Sequence, residues 1–478
     1  MTSSYTDLFL LIDGEKLSEG SRLHEDVINP ATESVLGRLP HASTEDLTRA
    51  LEAARRAAIT WRHTSATARG RILKRAAELL RVRSEQIAYA ATLEQGKCLA
   101  ESRLEVGMAA DTLEWFAEEG RRAYGRVLQP SSPGNRALVV KEPVGVVAAF
   151  APWNFPIANP ARKLGAALAA GCPCILKPAE EAPASALAVA SALIDAGLPP
   201  GVMAVVFGRP AEVSRHLLAS NIVRKVSFTG SIPVGKHLLT LATHNLQRTT
   251  MELGGHAPVM VFDDADLDRA LDLTAASKFR NAGQVCVAPT RFIVQDSIYD
   301  RFVAGFLERT RSLNVGDGRD EKNRMGPLTH PRRLEVMSSF VTDAISHGAS
   351  LRTGGERLGR KGYFFAPTLL SDVPVAARIM NEEPFGPIAA VTRFRTLEDA
   401  IAEANRLPFG LASYVFTQSL HTATRVGEAI EAGMVGVNTT TISLPESPFG
   451  GIKHSGHGAE NGVEGLEAYL TTKFINQM

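Results

Sequence analysis

The apolar and polar positions divide this 478-residue chain into segments of different period. Near the N-terminus, STEDLTRALEAARRAA repeats apolar residues every three or four positions, which places them on one helix face. Ser43 opens that segment and Asp46 follows three positions later, so each side chain can bond the other's backbone N–H. A second helical pattern runs from Gly70 to a glycine stop at Gly96. In GRVLQPSSPGNRALVVKE, short apolar runs flank a Pro/Ser/Gly/Asn turn, which predicts a hairpin.

From Val144 the pattern alternates. VGVVAAFA, CPCILK, VMAVVFG, RKVSFTG and RTTMEL are short runs that predict buried strands. Between them ARKLGAALAAG (ending at Gly171), SALAVASALIDAG, AEVSRHLLA and VGKHLLTLATHN predict helices. Such alternation implies a parallel sheet with right-handed crossovers. Ligands bind beyond the C-terminal ends of the strands in such sheets. The polar residues that interrupt the apolar runs fall at those ends. Asn154 follows the first strand, Lys177 and Glu180 the second, Gly230 and Ser231 the fourth, and Glu252 closes the fifth. This convergence predicts a nucleotide site. A G-x-G-x-x-G fingerprint is missing. FTGSIPVG instead opens a helix with Gly230 and Gly235, and its free N–H groups suit a pyrophosphate, although glycines at such turns often serve the turn alone.

Length allows two or three domains. The formal charge of +1 argues against a nucleic-acid or membrane-surface binder held by bulk electrostatics. The longest uncharged stretch, Val144 to Ala161, contains three prolines and two asparagines and predicts no membrane span. The N-terminus lacks the pattern of a secretory signal, and four cysteines make no disulfide framework, so a cytoplasmic location is expected. Cys172 and Cys174 lack histidine or acidic neighbours, which predicts core thiols on one side of a strand and no metal site. Cys98, at a helix end, reads the same way.

Cys286 differs. In RNAGQVCVAPT its neighbours Ala282, Gly283 and Ala288 leave room for a substrate. A free thiol titrates near about 8.5, so a nucleophile here needs a helix end or a base to raise its thiolate fraction. Glu252 stands between Met251 and Leu253, an apolar setting that would raise its pKa toward that of a base.

PWNFP, KPAE, FTGS, MELGG, GQVC, EEPFGP and PFGG occur in the order seen in the aldehyde dehydrogenase superfamily, which the chain resembles from about Leu10 to its end. The resemblance implies an α/β fold with a Rossmann-like parallel-sheet NAD-binding domain (1–124 and 144–253), an α/β catalytic domain (254–449) and a small β oligomerisation arm (125–143 and 450–478). That arm would pair with a neighbouring subunit to give a homodimer or homotetramer. It also implies a reaction. Cys286 attacks an aldehyde, and the Asn154 side chain with the Cys286 backbone N–H holds the oxyanion. Hydride leaves to a nicotinamide, and Glu252 activates water to hydrolyse the thioester. Trp153, Lys177, Glu180, Gly230, Ser231, Leu253, Glu383 and Phe385 would hold the cofactor. Glu180 would bond the adenosine ribose and repel a 2′-phosphate, which favours NAD over NADP.

Arg162, Arg280 and Ser443, with Phe155 and Phe449 beside them, are similar to the carboxylate-binding residues of succinate-semialdehyde and α-ketoglutaric-semialdehyde dehydrogenases. A small semialdehyde ending in a carboxylate is therefore the expected substrate, clamped by two guanidinium groups. Some members carry a second cysteine two residues after the nucleophile, where this chain has Ala288. Three other readings stand beside this one. They are an aldehyde dehydrogenase for another small aliphatic or aromatic aldehyde, a cysteine hydrolase pairing Cys286 with His256, and a non-catalytic binding protein.

Overall fold

A computed structural model describes residues 5–20, 22–129 and 134–478. The five expected strands form the parallel centre of an eight-stranded sheet. Their order is Arg248–Glu252, Val223–Thr229, Val146–Phe150, Cys174–Lys177 and Met203–Val205. Leu10–Ile12 and Glu15–Leu17 extend one edge as an antiparallel hairpin. Val146–Phe150 is buried throughout, as expected of a strand covered on both faces. From it the chain builds outward through two strands, then returns to its other side. The connections that leave Val146–Phe150 and Val223–Thr229 therefore diverge, which opens a crevice at the sheet's switch point.

Helix Ala158–Ala170 crosses behind this crevice with every residue buried. Its small residues permit the close approach: a side chain at Gly165 would meet the Phe116 ring of helix Leu99–Glu119. The Ser43 capping box forms as expected ahead of helix Thr44–Trp61. The pattern read as one helix from Gly70 to Gly96 is instead two, Ala66–Val82 and Ser84–Gln95, broken at Arg83. Cys98 precedes helix Leu99–Glu119 rather than ending a helix. Cys172 lies outside the strand that begins at Cys174, so the two thiols share no strand face, although both are fully buried.

A second sheet of seven strands follows in sequence. Its order is Ser350–Thr353, Thr368–Ser371, Ile388–Phe394, Pro289–Gln295, Ala257–Val261, Ala412–Phe416 and Met434–Val437, with only the first antiparallel to its neighbour. A third sheet joins Leu470–Gln477, Arg136–Pro143 and Arg126–Leu128 antiparallel. Residues 130–133 of the expected hairpin turn lie outside the described residues. The segment 450–478 is divided between sheets. Gly456–His457 pairs with Met251 and Glu252 on the first sheet, whereas Leu470–Gln477 belongs to the third. No helix among the described residues is long and apolar enough to cross a membrane.

Candidate active site

The crevice holds a cavity of about 700 Å³, and Asn154, Arg162, Glu252, Arg280, Cys286 and Ser443 all line it. Residues up to 289 positions apart in the sequence (Asn154 to Ser443) thus meet in one place because both sheets present loops to the switch point.

Cys286 is half-buried on the turn before strand Pro289–Gln295. The backbone that delivers it is unusual. Asn281, Ala282 and Gly283 have φ of 50°, 52° and 72°, three successive left-handed residues. For an L-residue that conformation costs roughly 1–2 kcal/mol, so the surroundings must impose it. Glu101 accepts the Asn281 N–H, and Gln95 Nε2 donates to Asn281 Oδ1 at 2.8 Å. A side chain at Gly283 would collide with the Gly386 carbonyl. The thiol is not activated in the way the sequence suggested. Burial pushes it up to about 12; the cations Arg162 and Arg280 oppose that shift, while Glu383 and Glu252 add to it.

Asn154 is buried in the loop that follows strand Val146–Phe150. Its Nδ2 donates to Gln284 O at 3.2 Å and its Oδ1 accepts the Phe155 N–H at 3.1 Å, which fixes the amide orientation. An amide has two N–H groups, and one has no acceptor among the described residues at the cavity wall.

Glu252 ends its strand with both carboxyl oxygens buried and unpartnered. Its pKa is raised well above the ordinary carboxylate value, first by burial and then by the negative charge of Glu460, with Lys163 and Arg162 opposing. Burial is the expected cause, and the charge of Glu460 adds to it. Glu460 escaped the sequence reading. It lies in a bridge to Phe449 and forms an ion pair with Lys163 at 2.5 Å, which also bonds Thr229 at 2.8 Å.

The expected anion contacts come together. Arg162 Nη2 donates to Ser443 Oγ at 2.6 Å, and the guanidinium lies 4.4 Å from the Phe449 ring centre. Arg280 lies 5.3 Å from the Phe155 ring centre, and its Nε is buried without a partner. His256 is not available to Cys286. Its two ring nitrogens are held by Thr290 Oγ1 at 2.7 Å and Ile379 O at 3.0 Å, and burial lowers its pKa well below the ordinary value.

The residues expected to hold a dinucleotide fit that task. Helix Ile232–Thr243 starts at Ser231 without a side-chain cap, so its first N–H groups are free at the crevice. Lys177 and Glu180, both largely buried, pair at 2.5 Å, and Glu180 also accepts the Gly208 N–H at 3.1 Å. Glu383 accepts the Gly255 N–H at 3.2 Å; burial raises it to about 7, with Arg333 and Lys278 opposing. A side chain at Gly254 would strike that carboxylate. Trp153 and Phe385 meet edge to face at 5.5 Å, and Phe385 is left-handed at φ 43°, strain of the kind that gathers at functional sites. Gly230, Ser231, Leu253, Glu383 and Phe385 line the same cavity as Cys286. Lys177 and Glu180 lie beyond it, nearer the Met203–Val205 edge.

Comparison with known proteins agrees with this geometry. A family model described as the aldehyde dehydrogenase family matches residues 18–475. A 4-(hydroxymethyl)benzenesulfonate dehydrogenase of Comamonas testosteroni is 49% identical over 98% of this chain and 97% of its own. An NADP(+)-named succinate-semialdehyde dehydrogenase of Escherichia coli is 45% identical over 97% of this chain and 96% of its own. Among solved structures, a succinate-semialdehyde dehydrogenase from Burkholderia pseudomallei superposes with a TM-score of 0.97 at 43% identity, covering 99% of this chain and 98% of that one. The chain therefore belongs to the aldehyde dehydrogenase family and is an aldehyde dehydrogenase.

Proposed function

We propose that this enzyme oxidises a small aldehyde bearing an anionic group at its far end, a semialdehyde such as succinate or α-ketoglutaric semialdehyde, to the corresponding diacid. The observation that carries the reading is the Arg162–Ser443 pair beside Phe449, in the same cavity as Cys286. A guanidinium there would bind a carboxylate in bidentate fashion, and Arg280 would close over it from the Phe155 side.

In this reading Cys286 releases its proton to solvent as its sulfur bonds to the aldehyde carbon, and the carbonyl π electrons move onto the oxygen. The developing oxyanion takes the unused Asn154 N–H and the Cys286 backbone N–H, donors that are typically worth ~10²–10³ in rate each. A nicotinamide dinucleotide held in the crevice would supply the acceptor for the hydride that the adduct carbon must lose to become a thioester. Glu252, ionised, then takes a proton from water as the water oxygen attacks that thioester, and the acid leaves as the thiol re-forms. Gly230, Ser231, Leu253, Trp153, Glu383 and Phe385 would hold the nicotinamide half, and Lys177 with Glu180 the adenosine ribose. The carboxylate of Glu180 favours NAD over NADP, since a 2′-phosphate would face its negative charge. The enzyme would work as a homodimer or homotetramer in the cytoplasm. Phe474 and Val127 of the third sheet are 60% and 76% exposed and offer an apolar surface to another copy.

A second reading has support of its own. Phe155 and Phe449 would also flank an aromatic ring, and a sulfonate presents the same oxygens as a carboxylate to Arg162. The name of the Comamonas relative points the same way. A panel of aldehydes with a terminal carboxylate, an aryl sulfonate or no charge, each run with NAD and with NADP, tests both. Equal kcat/KM for charged and neutral aldehydes would exclude both anion readings.

A further inference from the structure

Two charged groups outside the cavity wall hold the Asn154 loop from behind. Lys97 is 1% exposed; its Nζ donates to Asn154 O at 2.7 Å and pairs with Glu105 Oε2 at 2.5 Å. The other Glu105 oxygen accepts the N–H of Ile157 at 2.8 Å and of Ala158 at 3.0 Å. Those are first-turn donors of helix Ala158–Ala170, which has no side-chain cap at Ile157. One ion pair therefore grips both ends of the stretch from Asn154 to Ala158. Asn154 stands at one end, and the helix carrying Arg162 begins at the other.

The grip extends to the sulfur. Asn281 Nδ2 donates a second bond to Asn154 O at 3.0 Å, and Gln95, two residues before Lys97, holds Asn281 Oδ1. Gln95 Oε1 accepts the Lys97 N–H at 3.0 Å. The corner from Gln95 to Lys97 thus ties the Asn154 loop to the left-handed turn that delivers Cys286. Lys97 also stands 4.3 Å from the Phe155 ring centre, the ring that Arg280 approaches. A buried ion pair contributes little net stability against its desolvation cost, so the geometry it imposes is the better explanation for this one.

We propose that Lys97, held by Glu105, is a positioning residue that acts through Asn154, aiming its amide at the oxyanion of the Cys286 adduct without touching substrate. The inference rests on the aldehyde-oxidation reading above.

A double-mutant cycle tests it. Lys97→Met should lower kcat about 10²-fold, as loss of an oxyanion donor does, with NAD affinity unchanged. In an Asn154→Ala background the same substitution should cost less than about twofold, since the group it acts through is gone. Should Lys97→Met fail to fold with Glu105 left unpaired, Lys97→Met/Glu105→Gln removes both charges at similar shape and is expected to show the same loss. A folded variant with wild-type kcat, or equal losses in both backgrounds, overturns the inference. A wild type that oxidises no aldehyde overturns the functional reading and this inference with it. A wild type that does so while the variant matches it overturns this inference alone.

Discussion

Arg162 donates to the Ser443 hydroxyl at 2.6 Å, joining a fully buried helix behind the first sheet to a loop that follows the second. Arg162 has no carboxylate within salt-bridge distance among the described residues, and it lines with Ser443 the cavity that holds Cys286. An arginine held by a neutral hydroxyl keeps its charge free for a ligand. Arg162→Ala should therefore lower kcat/KM for succinate semialdehyde about 10–100-fold, matching a charge-assisted bond of about 1.5–3 kcal/mol. For butanal, which lacks the carboxylate, the change should stay within about threefold. Arg162→Lys should recover only part of the loss, because an ammonium cannot make the paired bonds of a guanidinium. Equal losses with both aldehydes would show that Arg162 supports the fold rather than the substrate.

The carboxyl of Glu252 carries a raised pKa and two unpartnered oxygens. A base with a raised pKa is protonated and idle below it, so thioester hydrolysis should rise with pH through that value. Glu252→Gln should leave the first turnover visible as a burst of about one NADH per site, then slow steady turnover ~10²–10⁴-fold. Glu460→Gln removes the nearby negative charge that, after burial, does most to raise Glu252. The acid limb of the steady-state pH profile should then shift to lower pH. An unchanged limb, or one displaced upward, would count against Glu460 as the neighbour that tunes Glu252. Because Lys163 loses its buried partner, at a cost of about 3–5 kcal/mol, melting temperature is measured alongside.

In the proposed reading cofactor choice rests on Glu180, which is largely buried beside Lys177 and bonded to the Gly208 N–H. Its carboxylate would oppose a phosphate on the adenosine ribose. Glu180→Gln keeps the shape and removes the charge, so kcat/KM with NADP should rise at least about tenfold relative to NAD. The measurement is the ratio of the two cofactors at fixed aldehyde. A wild type that already prefers NADP, as the name of the Escherichia coli relative indicates for that enzyme, would remove Glu180 as the discriminating group.

The parallel sheet and its switch point were legible because each strand is a short apolar run ended by a polar residue, and each crossover helix is punctuated by glycine or proline. Asn154 and Glu252 stood out for the same reason, as polar residues at the ends of apolar runs, and Cys286 stood out by the small residues around it. Helix Leu99–Glu119 was missed because Ser102, Glu105, Thr112 and Glu119 are buried polar positions that blur its amphipathic face. The break at Arg83 has no glycine or proline to announce it. Lys97, Glu105, Lys163 and Glu460 escaped for a different reason. Each is a charged residue whose partner is set by tertiary packing, and Lys163 and Glu460 are 297 positions apart. Local period cannot reveal such a pair, and a charged residue in sequence reads as surface.

The turn before Cys286 can be tested through its backbone alone. Ala282 and Gly283 are both left-handed, yet only Gly283 packs so close to Gly386 that a side chain would strike its carbonyl. Ala282→Gly relieves a φ of 52° but frees the unfolded chain, effects of about 1 kcal/mol each that oppose one another. Stability should therefore change by less than about 1 kcal/mol, and activity should persist. Gly283→Ala keeps the same left-handed demand and adds the clash, so the Cys286 turn and the loop carrying Phe385 must separate. Denaturant titration should show a loss beyond about 2 kcal/mol, and any folded fraction should alkylate Cys286 normally while oxidising aldehyde far more slowly. If Gly283→Ala matched the wild type in both measurements, the close approach of these two loops would not be what holds the sulfur in place.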